Sequence, residues 1–95
     1  MEEKELHFNE IEYNEEIIYY IISTYDQHYA KGIQTTEYIM SHSTTPDFIK
    51  GNVLKYVTRY GHKEGYNRKD LLKAIHYLYL MLYFHDNKFS NKKDV

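Results

Sequence analysis

The clearest hydrophobic pattern lies near the end of the chain, where apolar residues recur every three or four positions. This stripe comprises Leu71, Ile75, Leu78 and Leu82. Such spacing places the side chains on one face of a helix. Asn67 is a good N-cap residue, and Asp70 stands at the third helical position, where an acid suits the positive end of the helix. The pattern predicts a last helix from Asn67 to about Asp86, with this stripe in the core.

The segment before it predicts another helix. Thr45, Pro46 and Asp47 form a strong helix start, with a capping threonine, a proline at the first helical position and an acid in the first turn. The expected core stripe is Ile49, Val53, Tyr56, Val57 and Tyr60. The helix should run to Tyr60 and stop at Gly61, because glycine readily adopts the positive φ of a helix C-terminus. A short connection then makes the last two helices an antiparallel hairpin.

The N-terminal segment predicts an acidic first helix over about 9–26. Asn9 is the expected N-cap, with Glu12 as its capping-box partner and Phe8 packed on Tyr13 as a hydrophobic staple. Its apolar stripe is Ile11, Ile18, Ile22 and Tyr25. The run IIYYII would also suit a buried strand, because β-branched and aromatic residues favour strands. The caps and the length of the segment favour the helix.

The remaining segments complete a single all-α domain over residues 1–95. Residues 26–34 are typical of a loop, a short helix should follow from Thr35 or Thr36 to about Ser41, and the polar tail 88–95 is expected to fray. The prediction is therefore a small four-helix domain with a C-terminal antiparallel helix hairpin.

Length and composition exclude several classes of protein. The 95 residues leave room for one core only. The absence of cysteine excludes disulfides and thiolate chemistry, and there is no P-loop or other glycine-rich nucleotide motif. Apolar runs such as Ile17–Ile22 are too short for a membrane span, and the acidic N-terminus does not resemble a signal peptide. A cytoplasmic protein without a membrane partner is expected.

Charge and tyrosine content point to partners. Residues 1–26 hold eight acids and one lysine, whereas residues 27–95 hold six acids and eleven bases. The basic second part suits an anionic small ligand, but its excess is too small for non-specific duplex binding. The chain has 12 tyrosines, and such a short aromatic chain should expose a patch that a second copy covers. A homo-oligomer is therefore expected.

Two polar rows run beside the apolar stripes of the predicted hairpin. The rows are Asn52, Lys55 and Arg59 on one helix and Asp70, Lys73 and Tyr77 on the other. Across a shallow groove, with Lys63 above it in the turn, they would offer the donors that phosphate requires. The hypothesis is a site for a phosphorylated small molecule, to which His28 and Tyr29 in the preceding loop could contribute.

Simpler interpretations exist for each of these features. Arg59 and Asp70 could form only an inter-helix ion pair, with the lysines solvated. Gly51 inside a helix could admit either a ligand or a neighbouring helix. The six histidines contain no metal-binding pair, and the acids of the first helix are typical of a solvated face, so no metal site is predicted.

The same residues resemble a known family. The ordered pattern is His28-Tyr29-x-x-Gly32-Ile33, Tyr38-Ile39, Phe48-x-x-Gly51-Asn52-x-x-Lys55-Tyr56-x-x-Arg59-Tyr60-x-x-Lys63 and Asp70-Leu71-x-Lys73-Ala74-x-x-Tyr77-Leu78. Over roughly residues 28–82 it resembles the SaV-like family of small bacteriophage proteins. The resemblance implies a phage accessory role in the infected bacterial host. One similar phage protein is described as a deoxynucleoside monophosphate kinase without a P-loop, and the namesake contacts a host protein in an abortive-infection system.

Three hypotheses of function follow. The first is a protein that binds a phosphorylated nucleotide, linear or cyclic, and sequesters a host-defence signal without a cofactor. The second is a nucleotide kinase, in which Asp70 would hold Mg²⁺. The third is an interaction protein that binds a host defence protein through its acidic first helix. The first is preferred over the kinase because the polar rows hold one carboxylate and no nucleophile–base pair.

Overall fold

The chain is all-α over residues 6–24 and 38–88, which are the residues that the computed structural model describes. Helix α1 spans Glu10–Ser23, residues 38–42 are also helical (α2), α3 spans Asp47–Arg59 and α4 spans Arg68–Lys88. This part of the chain contains no β-strand, so the predicted fold class is confirmed. No helix within it is long and apolar enough to cross a membrane. The predicted loop 26–34, the start of the short helix and the tail after residue 88 lie outside the described residues.

Helices α3 and α4 pack on each other in antiparallel order. Arg59 Nε lies 3.6 Å from Asp70 Oδ1, and the rings of Tyr56 and Tyr77 stack with centroids 6.0 Å apart. Residues later in α3 therefore contact residues earlier in α4, as in an antiparallel pair. In the connecting turn Gly61 has φ 89° and donates its N–H to Gly65 O at 2.8 Å. The expected stop at Gly61 is confirmed.

The core is small and does not coincide with the predicted stripes. The buried residues of the described chain are Ile17, Ile49, Asp70, Ala74 and Phe84. On α4 the predicted stripe is wrong: Leu71, Leu78 and Leu82 are 37%, 44% and 63% exposed. The face that packs on α3 is rotated by one residue, because Asp70 pairs with Arg59 and Ala74 gives α3 room to approach.

The predicted stripes of the other two helices are also partly wrong. On α1, Ile18 and Ile22 are 43% and 66% exposed while Ile17 is buried. On α3, Ile49 is buried but the adjacent Phe48 is 39% exposed, and Val57 of the predicted stripe is 52% exposed. In each helix the buried position is flanked by an apolar residue that faces away from the core, so the pattern of apolar types alone does not define the packed face.

Polar contacts join α1 to α4. The Arg68 guanidinium donates two hydrogen bonds to the Glu16 carboxylate, and Tyr79 Oη donates to Asn14 Oδ1 at 3.2 Å. These hydrogen bonds hold the pKa of Glu16 below its ordinary value, since the arginine favours the ionised carboxylate. One acid of the predicted solvated face is therefore a docking contact.

The sequence signals for the helix caps are confirmed only in part. Asn67 Oδ1 accepts the Lys69 N–H at 3.0 Å, as expected of an N-cap. Asn9 is the N-cap residue of α1, as predicted, but it has the left-handed φ of 60° and makes no side-chain cap, so the predicted capping box is wrong. The cap of α3 is Pro46 instead of Thr45, whose hydroxyl donates to Asp47 Oδ2 at 2.9 Å. Helix α1 ends at Ser23, about three residues early.

Candidate functional site

An open cleft of about 620 Å³ lies beside the C-terminal half of α3. Its lining residues are Leu54, Lys55, Thr58, Arg59, His62 and Lys63. Four of these side chains are basic, and we call this feature the basic cleft. Helical spacing brings Lys55 and Arg59 to neighbouring turns of one face. The turn after α3 folds back on the helix, since the N–H groups of His62 and Lys63 both donate to Arg59 O at 2.9 and 3.2 Å.

Arg59 lies between two carboxylates. Its Nε is 3.6 Å from Asp70 Oδ1, and its Nη2 is 3.8 Å from Glu64 Oε2. The side chain of Asp70 is only 4% exposed, whereas that of Glu64 is 62% exposed. Both distances are longer than a hydrogen bond, and Arg59 Nε and Asp70 Oδ2 have no hydrogen-bond partner within the described chain. The inter-helix ion pair proposed as the simpler interpretation is therefore present, and it leaves hydrogen-bonding capacity unused.

The ring of Tyr56 brings the two predicted polar rows together. The ammonium groups of Lys55 and Lys73 lie 5.1 Å and 5.3 Å from its centroid, within the range of cation–π attraction. Tyr77 stacks on the same ring. Lys55 on α3 and Lys73 on α4 consequently share one side of the hairpin, as the spacing of the rows predicted.

Burial raises the pKa of Tyr77 and of Tyr20. Removal from water is the largest cause for both phenols, and the neighbouring Tyr56 hydroxyl adds to it. For Tyr20 on α1, Tyr77 contributes as well. Tyr20 of α1 is thus close enough to the stacked pair Tyr56 and Tyr77 to be affected by their hydroxyls, and we call these three residues the tyrosine cluster.

The other predicted site residues are placed differently. Asn52 donates its side-chain amide to Phe48 O at 3.0 Å, within its own helix. A Cβ at Gly51 would meet no atom within 4 Å among the described residues, so none of them packs closely there. His28 and Tyr29 lie outside the described residues. His62 was missed from the sequence; its position beside Lys63, just after the glycine that ends α3, was the available signal.

Among the residues that the structure describes, no three histidine, aspartate or glutamate side chains are grouped so that they could hold a metal ion. Asp70 is committed to Arg59 and is buried. The basic cleft instead has two lysines, one arginine and one histidine around an open recess, a set of donors suited to an anion.

Comparison with known proteins gives one match. A family model described as a protein of unknown function (DUF3310) matches residues 23–79, which include all residues of the basic cleft. No curated protein matches the chain. No solved structure matches it either. Because the family match covers more than half of the sequence, the chain belongs to the DUF3310 family.

Proposed function

We propose that this protein binds a phosphorylated small molecule, with a nucleotide as the leading candidate, in the basic cleft. The observation that carries the proposal is the convergence of Lys55, Arg59, His62 and Lys63 on one recess. A guanidinium offers a fork that matches phosphate oxygens, and the lysines add mobile point charges. The volume of about 620 Å³ lies within the range of small-molecule sites.

The charges of the cleft are unequally available to a ligand. Within the described chain neither Lys55 nor Lys63 forms an ion pair, and both are exposed. Arg59 is shared with Asp70 and Glu64. A phosphate would displace the exposed Glu64 more readily than the buried Asp70, because removing a charge from a buried partner costs more. Lys55 and Lys63 are therefore the primary phosphate contacts of the proposal, and Arg59 is the secondary one.

The nature of the ligand beyond its phosphate rests on the resemblance to SaV-like phage proteins. That resemblance supports a nucleotide and a role in the cytoplasm of an infected bacterium, where the protein would sequester a nucleotide signal of host defence. Leu54 and Thr58 supply the less polar wall on which a base or sugar would lie. The kinase alternative gains no support from Asp70, because a buried carboxylate paired with arginine is poorly placed to hold Mg²⁺.

The test is a thermal-shift and calorimetric screen of the full chain. The ligands are inorganic phosphate, nucleoside mono- and triphosphates, their deoxy forms and cyclic di- and trinucleotides, each with and without Mg²⁺. A ligand at 100 times its Kd adds about 2.7 kcal/mol, which raises the Tm of a small domain by several degrees.

Paired variants decide whether the basic cleft is the site. The double variant Lys55→Ala/Lys63→Ala should abolish the shift, whereas Lys69→Ala, an exposed lysine of α4 outside the cleft, should retain it. The absence of a shift with every ligand, or equal loss in the control, would refute the proposal. A shift that requires both ATP and a deoxynucleoside monophosphate would favour the kinase.

A further inference from the structure

Glu64 lies in the turn between α3 and α4, next to the basic cleft. It directly follows Lys63, which lines the cleft, and its side chain is 62% exposed. An isolated bridge pairs His62 with Gly65, and Gly61 donates its N–H to Gly65 O at 2.8 Å. Glu64 is therefore held in a tight, hydrogen-bonded turn, which gives its side chain a defined starting position beside the cleft.

The Glu64 carboxylate contacts donors at the facing ends of both helices of the hairpin. Its Oε2 lies 3.8 Å from Arg59 Nη2, at the end of α3. Its Oε1 accepts a hydrogen bond from Asn67 Nδ2 at 3.2 Å, just before the start of α4. Guanidinium and amide N–H groups are donors that phosphate oxygens also accept. Arg59 and Asn67 thus present the donors that an anion needs, and a carboxylate of the same chain occupies them.

The backbone of Glu64 has a conformation that is unfavourable for its residue type. Its φ is 61°, in the left-handed region where glycine and asparagine are the usual residues. The neighbouring Gly65, with φ 69°, is the type of residue that such a position normally carries. Backbone strain of this kind is concentrated at ligand clamps and switch regions. The turn itself does not account for a glutamate here, whereas the contacts of its carboxylate give the residue a role.

Arg59 holds its two carboxylate neighbours with unequal strength. The Asp70 side chain is 4% exposed and lies 3.6 Å from Arg59 Nε, so leaving the arginine would strand a buried charge. Glu64 is exposed, and water can solvate its carboxylate as soon as it leaves, which is why exposed ion pairs are weak. An incoming anion can therefore exchange with Glu64 while Asp70 keeps Arg59 anchored to α4.

We propose that Glu64 is a built-in competitor, which occupies Arg59 and Asn67 until a phosphate replaces it. The inference rests on the proposed function, because it assigns these two residues to the same phosphate that Lys55 and Lys63 attract. Asn67 thereby becomes a ligand contact supplied from the start of α4. The apparent affinity of such a site is the intrinsic affinity multiplied by the fraction of molecules in which the competitor has left. Glu64 therefore lowers the affinity for every anion at this site.

An NMR titration of the full chain with inorganic phosphate tests the proposal, followed through the backbone amides of His62 and Lys63 and the side-chain amide of Asn67. Glu64→Gly removes the carboxylate and suits the positive φ. It should bind phosphate about two- to five-fold more tightly than the wild type, the range expected for the loss of one exposed ion pair. Glu64→Gln, which keeps the length of the side chain, should change the affinity in the same direction. The control is Glu12→Gln, which removes an exposed acid of α1 and should bind as the wild type does.

A further variant tests the contribution of Asn67. Asn67→Ser keeps an N-cap for α4 but removes the side-chain amide. Glu64→Gly/Asn67→Ser should therefore lose the affinity gained by Glu64→Gly, with unchanged helix content by circular dichroism. If Glu64→Gly binds no more tightly than Glu12→Gln, or if the double variant keeps the full gain, this inference is overturned while the phosphate site of the basic cleft stands. If phosphate shifts none of these amides in any of the proteins, the proposed function fails and this inference fails with it.

Discussion

At the scale of single residues, Arg59 pairs with a buried carboxylate and is also a proposed phosphate contact. The Asp70 carboxylate is buried and has Arg59 as its cationic neighbour at 3.6 Å. Removing the arginine leaves a buried charge without compensation, which costs roughly 3–5 kcal/mol in a fully buried pair. Because the Arg59 side chain is 29% exposed, we expect Arg59→Ala to lower the free energy of unfolding by about 2 kcal/mol, measured by urea denaturation.

A double-mutant cycle separates this cost from any effect on binding. Asp70→Asn removes the buried charge at almost constant volume, so Arg59→Ala/Asp70→Asn should lose less stability than the sum of the two single variants. Additive losses would show that the ion pair does not couple α3 to α4. Because Arg59 also pairs with the buried Asp70, its removal changes stability as well as binding. The lysines of the basic cleft are therefore the better probes of ligand binding.

Two asparagines with the same sequence signal have different roles. Asn67 accepts the Lys69 N–H and caps α4, so Asn67→Ala should cost about 1 kcal/mol. Asn9 makes no side-chain cap and has φ 60°, a conformation that glycine adopts without strain. Asn9→Gly should therefore leave the free energy of unfolding unchanged or slightly raised. A loss at Asn9 as large as that at Asn67 would mean that Asn9 stabilises α1 through its side chain.

At the scale of helices, the tyrosine cluster joins α1, α3 and α4. The pKa values of Tyr20 and Tyr77 are raised above the ordinary 10.0 because burial disfavours the phenolates. The unfolded chain therefore loses these protons at lower pH than the folded chain. Stability is complete below pH 10 and falls as the pH rises through the folded pKa values.

The Tm of the wild type should accordingly decrease as the pH rises above 10. Tyr20→Phe/Tyr77→Phe removes both hydroxyls while keeping the rings, so its decrease should be shallower. Tyr83→Phe, at an exposed site, serves as the control and should follow the wild type. Identical slopes in all three proteins would mean that other groups cause the alkaline loss.

The sequence predicts the helices of this fold better than their faces. Helix starts and stops have local signals, such as Asn67 before α4 and Gly61 after α3, and these were sufficient to predict where the two helices lie in the chain. The packed face of α4 has no such signal, because it is defined by a buried aspartate that only its partner Arg59 explains. Hydrophobic periodicity instead selected the stripe Leu71, Ile75, Leu78 and Leu82, three residues of which are exposed.

The grouping of the basic side chains in the candidate site could be predicted because it depends on local helix geometry. Lys55 and Arg59 share a face by spacing within one helix, and Lys63 follows in the adjoining turn, so their meeting depends on local geometry alone. The side chain of Asn52 could bond either a ligand or the backbone of its own helix, and the sequence does not show which of these partners it takes. Its amide bonds Phe48 O instead of facing the basic cleft.

At the scale of the whole molecule, the acidic and basic parts of the chain contact each other. Glu16 of α1 binds Arg68 of α4, and Ile17 is buried in the core. Deleting the N-terminal helix would consequently expose the core and unpair Arg68. A truncation of this kind cannot separate partner binding from folding, so point variants on the exposed face of α1, such as Ile22→Glu, are the appropriate probes of a protein partner.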